Sequence, residues 1–161
     1  MPQILIIDAP YYEHISKELV AGAEAVLRKA GASWDYQAVP GVLEIPTALS
    51  MVVAASFDGF EEDGMPPVPG MGSSGMQYDG FITLGCVIRG ETSHYEIVAF
   101  ESARAITSLC VDHCLCLGNG IQTVENEAQA LARAKASDLD KGGHAAQAAL
   151  DMIALREKFL G

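Results

Sequence analysis

The decapeptide Gly85-Cys86-Val87-Ile88-Arg89-Gly90-Glu91-Thr92-Ser93-His94 sets one arginine and one histidine in a turn bracketed by glycines. An apolar run, Phe81-Ile82-Thr83-Leu84, leads in, and an amphipathic pattern, Tyr95-Glu96-Ile97-Val98-Ala99-Phe100, leads out. That order describes a buried strand, a turn whose amides can face a ligand, and a helix that begins at Ser93. Ser93 and Glu96 have the spacing of a capping box. His94 then takes the first helical position, where the positive end of the macrodipole disfavours an imidazolium. A histidine held mostly neutral there, close to its titration point, suits proton transfer near pH 7. The same residues equally describe a polar histidine closing an ordinary strand–helix turn.

Cations are scarce. The net charge is −11, and no Lys or Arg occurs between Lys29 and Arg89. Such a balance argues against nucleic acid and anionic membranes as partners. An anionic substrate would need cationic contacts placed one by one, and Arg89, Arg133, Lys135 and Lys141 are the candidates. Without such a ligand these are solvated helix charges. Cys86, Cys110, Cys114 and Cys116 sit in apolar surroundings without a paired CxxC or clustered histidines. They are expected to be buried free thiols rather than a zinc site or disulfides.

The elements that must position these residues follow from periodicity. Ile4-Leu5-Ile6-Ile7 is a continuous apolar run ending in Asp8-Ala9-Pro10, as in a strand covered on both faces. Helical spacing covers residues 14–30, with Gly31 as its stop. Residues 33–39 read as a second strand halted by Pro40-Gly41, and residues 44–56 as a second helix with Pro46 in its first turn. The third strand lies within 78–88 and the third helix spans 93–113. A short fourth strand is expected at 114–117, broken by Gly118-Asn119-Gly120. The fourth helix is expected from Thr123 or Glu125, and the fifth over 141–160.

Alternating strands and helices predict one domain over residues 1–161, an open α/β sheet of four parallel strands with right-handed crossovers. Ligands of such sheets bind outside the carboxyl ends of the strands. The segments there are Ala9 to Tyr12, Pro40 to Glu44, Cys86 to His94 and Gly118 to Thr123. One stretch breaks the rhythm. Residues 58–75 are rich in Gly, Pro and Met and cannot bury enough surface to fold alone, which predicts a mobile insertion at about 58–77. No apolar run is long enough to cross a bilayer, and Met1-Pro2-Gln3 lacks the basic start of a signal peptide. A soluble cytoplasmic protein is the expectation.

Several motifs, taken together and in order, make the chain resemble the lumazine synthase family of riboflavin biosynthesis. They are Val39-Pro40-Gly41-Val42-Leu43-Glu44-Ile45-Pro46, the Gly85 to His94 segment, and Gly120-Ile121-Gln122-Thr123-Val124-Glu125-Asn126 with Gln129-Ala130 and Arg133. Lys141-Gly142 and the last helix complete the likeness, which spares only the 58–75 stretch. The resemblance implies a three-layer, flavodoxin-like fold around a four-stranded parallel sheet, assembled as a homopentamer. It implies condensation of 5-amino-6-(D-ribitylamino)uracil with 3,4-dihydroxy-2-butanone 4-phosphate to 6,7-dimethyl-8-ribityllumazine, phosphate and water. No metal or organic cofactor is implied. A flavin- or lumazine-binding paralogue without turnover is the alternative.

By the same resemblance His94 is the proton shuttle and Arg133 the phosphate-binding arginine. Glu91 and Thr92 match turn positions that contact the phosphate substrate, Glu91 through its backbone amide. Lys141 matches a further basic position near that pocket. Tyr11 matches the aromatic that stacks on the pyrimidine, although adjacent Tyr12 could fill the place. Val42, Leu43 and Glu44 match the segment contacting the ribityl chain, and Cys86, Val87 and Ile88 the backbone that reads the uracil edge. Asn119 matches a main-chain contact, and Arg89 a structural pairing. Glu125 and Asn126 are expected to cap the fourth helix. The family's sites lie between subunits, so Tyr11, Glu44 and His94 would come from one chain and Arg133 and Lys141 from its neighbour. Two features depart from the pattern: Pro10 stands where a basic residue is usual, and residues 134–140 lack the Gly-rich linker of icosahedral shells. An isolated pentamer is therefore expected.

Overall fold

A computed structural model describes residues 1–56 and 76–161. The insertion expected at about 58–77 lies, as far as residue 75, outside the described residues. The elements run β1 (Gln3–Asp8), α1 (Glu13–Lys29), β2 (Ser33–Ala38), α2 (Glu44–Ser56), β3 (Gly80–Ile88), α3 (His94–His113), β4 (Leu117–Val124), α4 (Glu127–Ala134) and α5 (Lys141–Leu160). The four strands form one parallel sheet in the order β2-β1-β3-β4.

Strand alternation divides the core into two layers. Ile4 and Ile6 of β1 join Ile82, Leu84 and Cys86 of β3 beneath α1, α4 and α5. Leu5, Ile7, Phe81 and Val87 face the other way, against Ile45, Leu49 and Val53 of α2 and Val98 and Ile106 of α3. Each fully buried Ile or Leu stabilises by about 1.5–3 kcal/mol, so this double layer is the main source of stability. Among the described residues helices therefore cover both faces, three on one side and two on the other. The uneven cover leaves Asn119 and Thr123 of β4 exposed on the α2/α3 side.

The fourth strand corrects the expectation from sequence. It spans Leu117–Val124 rather than 114–117, and Gly118 and Gly120 lie inside it. A Cβ on Gly118 would stand 1.7 Å from the carbonyl oxygen of Ala145, so glycine marks where α5 presses on the sheet, not where the strand stops. The fourth helix accordingly starts later, at Glu127, with Asn126 as its cap accepting from the Gln129 amide. Glu125, expected to share that capping, pairs with Arg89 instead. The capping box at Ser93 is also absent. Ser93, at φ −72° and ψ 2° rather than extended, makes no side-chain capping bond, and Glu96 pairs with the Arg89 guanidinium. All four thiols are free, but Cys114 is exposed as the left-handed residue that ends α3, at φ 51°.

Candidate active site

Four loops leave the sheet at its carboxyl edge, and main-chain bonds continue the ladder into them. The Val39 amide donates to Asp8 O at 2.8 Å, Ala9 N to Leu84 O at 3.0 Å, and Arg89 N to Val124 O at 2.9 Å. The chain leaves β1 toward the α1 face and β3 toward the α3 face. Neighbouring strands with connections on opposite faces open a crevice between them, here between Ala9 to Tyr12 and Arg89 to His94.

The crevice collects most of the predicted residues of one chain. Tyr11 is 74% exposed at the tip of the first loop. Tyr12 instead caps α1 and packs on the core, its ring meeting that of Tyr11 edge-on at 5.0 Å. Of the two rings, Tyr11 is the exposed one. Val42 is buried with Ala9 and Val87, which ties the second loop to the first and to β3. Leu43 is exposed, and Glu44 opens α2. Cys86, Val87 and Ile88 form the last turn of pleat in β3, the first two buried. Burial pushes the Cys86 thiol up to about 11, so it is not a thiolate near neutrality.

The β3–α3 turn is fastened from its base. Arg89 Nε donates to Glu125 Oε2 at 2.8 Å, its Nη1 pairs with Glu96, and its guanidinium lies 4.1 Å from the Tyr95 ring centre. Glu96 is held below the usual carboxylate range by the Arg89 hydrogen bond. One arginine so joins the end of β3, the first turn of α3 and the end of β4. Glu91 and Thr92 are exposed on the turn, and His94 is the first residue of α3. The His94 amide donates to Thr92 Oγ1 at 3.3 Å. Ser93 makes no side-chain cap at the start of α3, and the amides of such a helix end are groups suited to an anion.

Arg133 and Lys141 are held elsewhere. Arg133 is in the last turn of α4 and Lys141 begins α5, both in the layer on the α1 side, whereas His94 opens a helix on the opposite face. Neither cation enters an ion pair among the described residues. Asn119 lies mid-strand, paired with Thr83 rather than with the end of β3, and its Oδ1 accepts from Thr83 Oγ1 at 3.1 Å and Ile121 N at 3.0 Å. Two surface depressions, of about 330 and 260 Å³, involve none of these residues. Within one chain the structure gathers the Tyr11, Val42–Glu44 and Glu91–His94 groups and leaves Asn119, Arg133 and Lys141 apart from them.

One further group at this edge is invisible to periodicity. Asp8, read from sequence only as the stop of the first strand, is fully buried and accepts from Tyr36 Oη at 2.8 Å and from Ser16 Oγ. Its signal was a carboxylate placed flush against an uninterrupted apolar run.

The chain matches the family model described as 6,7-dimethyl-8-ribityllumazine synthase over residues 2–157. A protein of that name from Agrobacterium fabrum is 48% identical over 160 residues, covering 99% of this chain and 98% of the relative. The Bartonella bacilliformis protein is 49% identical over 98% of this chain and 92% of its own length. In Rhizobium meliloti, 6,7-dimethyl-8-ribityllumazine synthase 1 is 48% identical over 96% of this chain and 92% of its own length. An arginine-fastened turn presenting His94, a four-stranded parallel sheet and likeness along nearly the whole length agree: the chain belongs to the 6,7-dimethyl-8-ribityllumazine synthase family.

Proposed function

We propose that the chain condenses 5-amino-6-(D-ribitylamino)uracil with 3,4-dihydroxy-2-butanone 4-phosphate to give 6,7-dimethyl-8-ribityllumazine, the penultimate step of riboflavin biosynthesis. The match over residues 2–157, which takes in every motif of the carboxyl edge, carries this reading.

The pyrimidine stacks on Tyr11, its uracil edge reads the backbone of Cys86 to Ile88, and its ribityl chain lies along Val42, Leu43 and Glu44. The amine attacks the ketone of the four-carbon substrate and water leaves. Phosphate is then eliminated, and ring closure expels a second water. Each of these steps moves a proton, and His94 beside the crevice relays it. The phosphate is met by the amides of the Glu91–Thr92 turn and, from a neighbouring subunit, by the fork of Arg133 with Lys141 beside it. Asn119 of that neighbour lines the same cleft. Most of the acceleration comes from holding two reactive partners together, which supplies on the order of 7–11 kcal/mol in favourable cases.

The assembly is a homopentamer with its sites between subunits. Two observations support a second chain at this position. Ile97, Phe100 and Val111 put exposed apolar side chains on one face of α3, where a second chain would cover them. The outer part of β4 lacks a covering helix on the same side. Four free thiols fit a reducing, cytoplasmic setting, and no helix among the described residues is long and apolar enough to cross a membrane.

The test is turnover and mass. Purified protein given both substrates should form the lumazine, with a mass in solution of five chains. Ligand binding without turnover would refute the catalytic reading, and a particle of shell size would refute the isolated pentamer.

A further inference from the structure

Asp8 is an expensive residue for its position. It is fully buried, both hydroxyl donors converge on its Oδ2, and Oδ1 is buried with no partner among the described residues. For packing alone an apolar side chain at the end of β1 would serve better, since a buried carboxyl costs free energy wherever one of its oxygens is unsatisfied.

What the carboxyl does is close a loop. Ser16 stands in the first turn of α1, and its own amide donates to Tyr12 O at 2.9 Å, beside Ile15 N to the same oxygen at 3.0 Å. The bond from Ser16 Oγ to Asp8 therefore staples the loop from Ala9 to Tyr12 at its base. Tyr36 of β2 braces the staple from the side, and the Asp8 carbonyl is fixed by the Val39 amide. Ala9 is buried and Pro10 restricts φ, so the loop has few ways to relax. Tyr11 is its exposed tip.

We infer that Asp8, through Ser16 and Tyr36, is the positioning residue for the Tyr11 ring and so sets affinity for the pyrimidine substrate. This inference rests on the proposed stacking role of Tyr11.

Steady-state kinetics on the assembled enzyme, varying each substrate in turn, tests it in Asp8→Ala, Asp8→Asn, Ser16→Ala, Tyr36→Phe and Tyr11→Ala. Asp8→Ala should raise KM for the ribitylaminouracil about tenfold, as expected from losing a buried hydrogen-bonded anchor, with KM for the butanone phosphate nearly unchanged. Asp8→Asn keeps an acceptor oxygen for both hydroxyls and should restore most of the affinity. If Asp8→Ala does not fold, Ser16→Ala and Tyr36→Phe each remove one donor and should show the same selectivity at smaller size. Tyr11→Ala separates the two claims. A raised pyrimidine KM in Tyr11→Ala with none in the Asp8, Ser16 and Tyr36 variants overturns the positioning role alone. An unchanged KM in Tyr11→Ala overturns the stacking role and the inference with it, and equal rises for both substrates would reduce Asp8 to a fold residue.

Discussion

Alanine at Gly142 would test how the proposed phosphate end of the cleft is built. Gly142 is the second residue of α5, directly after Lys141. A Cβ there would stand 1.9 Å from the carbonyl oxygen of Leu19, 2.7 Å from its carbon and 2.9 Å from its Cα, where real contacts keep at least 3.0 Å. The obstacle is the backbone of α1, so no side chain can rotate away to relieve it. The start of α5 must therefore retreat by about 1 Å, and overpacking of this kind costs on the order of 3 kcal/mol. That is less than the about 5–15 kcal/mol that stabilises a typical domain, so the variant should stay folded. Lys141 moves with the helix, and a misplacement near 1 Å can cost about 100-fold in turnover. Urea unfolding should show the lower midpoint, and kinetics a fall in kcat/KM for the butanone phosphate larger than for the pyrimidine. Gly90→Ala, with nothing within 4 Å of its new Cβ, is the stability control and should unfold as the parent does. A Gly142→Ala protein as stable as the parent would refute the close approach of α5 to α1.

The other expectations concern the turn, the shuttle and the buried acid. His94→Ala should lower kcat by about 100-fold yet leave clear turnover, because acid–base transfer adds to positioning rather than replacing it; an assembled variant with no activity would make proton transfer dominant. Arg89→Met should slow kcat about tenfold by loosening the turn while the urea midpoint stays put, since exposed ion pairs contribute little to stability; a large loss of stability with unchanged specific activity of the folded fraction would contradict it. Burial of Asp8 raises its pKa above the ordinary 3.8, against the opposing hydrogen bonds from Ser16 and Tyr36. The folded state then holds that proton more tightly than the unfolded one, so this group lowers stability as pH climbs from 3.8 through the folded value. In Asp8→Asn that component of the slope should vanish, so urea titrations in which the variant and the parent differ by the same amount at every pH would refute it.

Much of this was legible from residue order alone. The apolar runs and their Gly or Pro stops placed β1, α1, β2, α2, β3 and α5 to within two residues, because strands covered on both faces read as unbroken apolar runs and helices keep a period of 3.6. Three of the four segments at the carboxyl edge followed from the alternation, whereas Gly118 to Thr123, expected to be the fourth, lies inside β4. Gly118 and Gly120 misled because glycine serves both as a breaker and as a relief for close packing, and only the position of Ala145 on α5 distinguishes the two. Ser93 and Glu96 misled because Ser93 is not extended and Glu96 pairs with Arg89, seven residues before it. Asp8 was missed because its partners, Ser16 and Tyr36, come together only through the sheet and the return of α1. The proposed division of the site between chains cannot be read from spacing at all, since it depends on which faces stay uncovered once one chain has folded.

Mixing two crippled subunits addresses the proposed shared cleft most directly. His94→Ala and Arg133→Ala proteins, each purified and then refolded together in equal amounts, should recover activity beyond that of either alone. Random placement around a closed ring gives about one cleft in four both intact groups, so the mixture should approach a quarter of the parent rate. A mixture no more active than the average of its two components would mean that one chain supplies both residues to its own site.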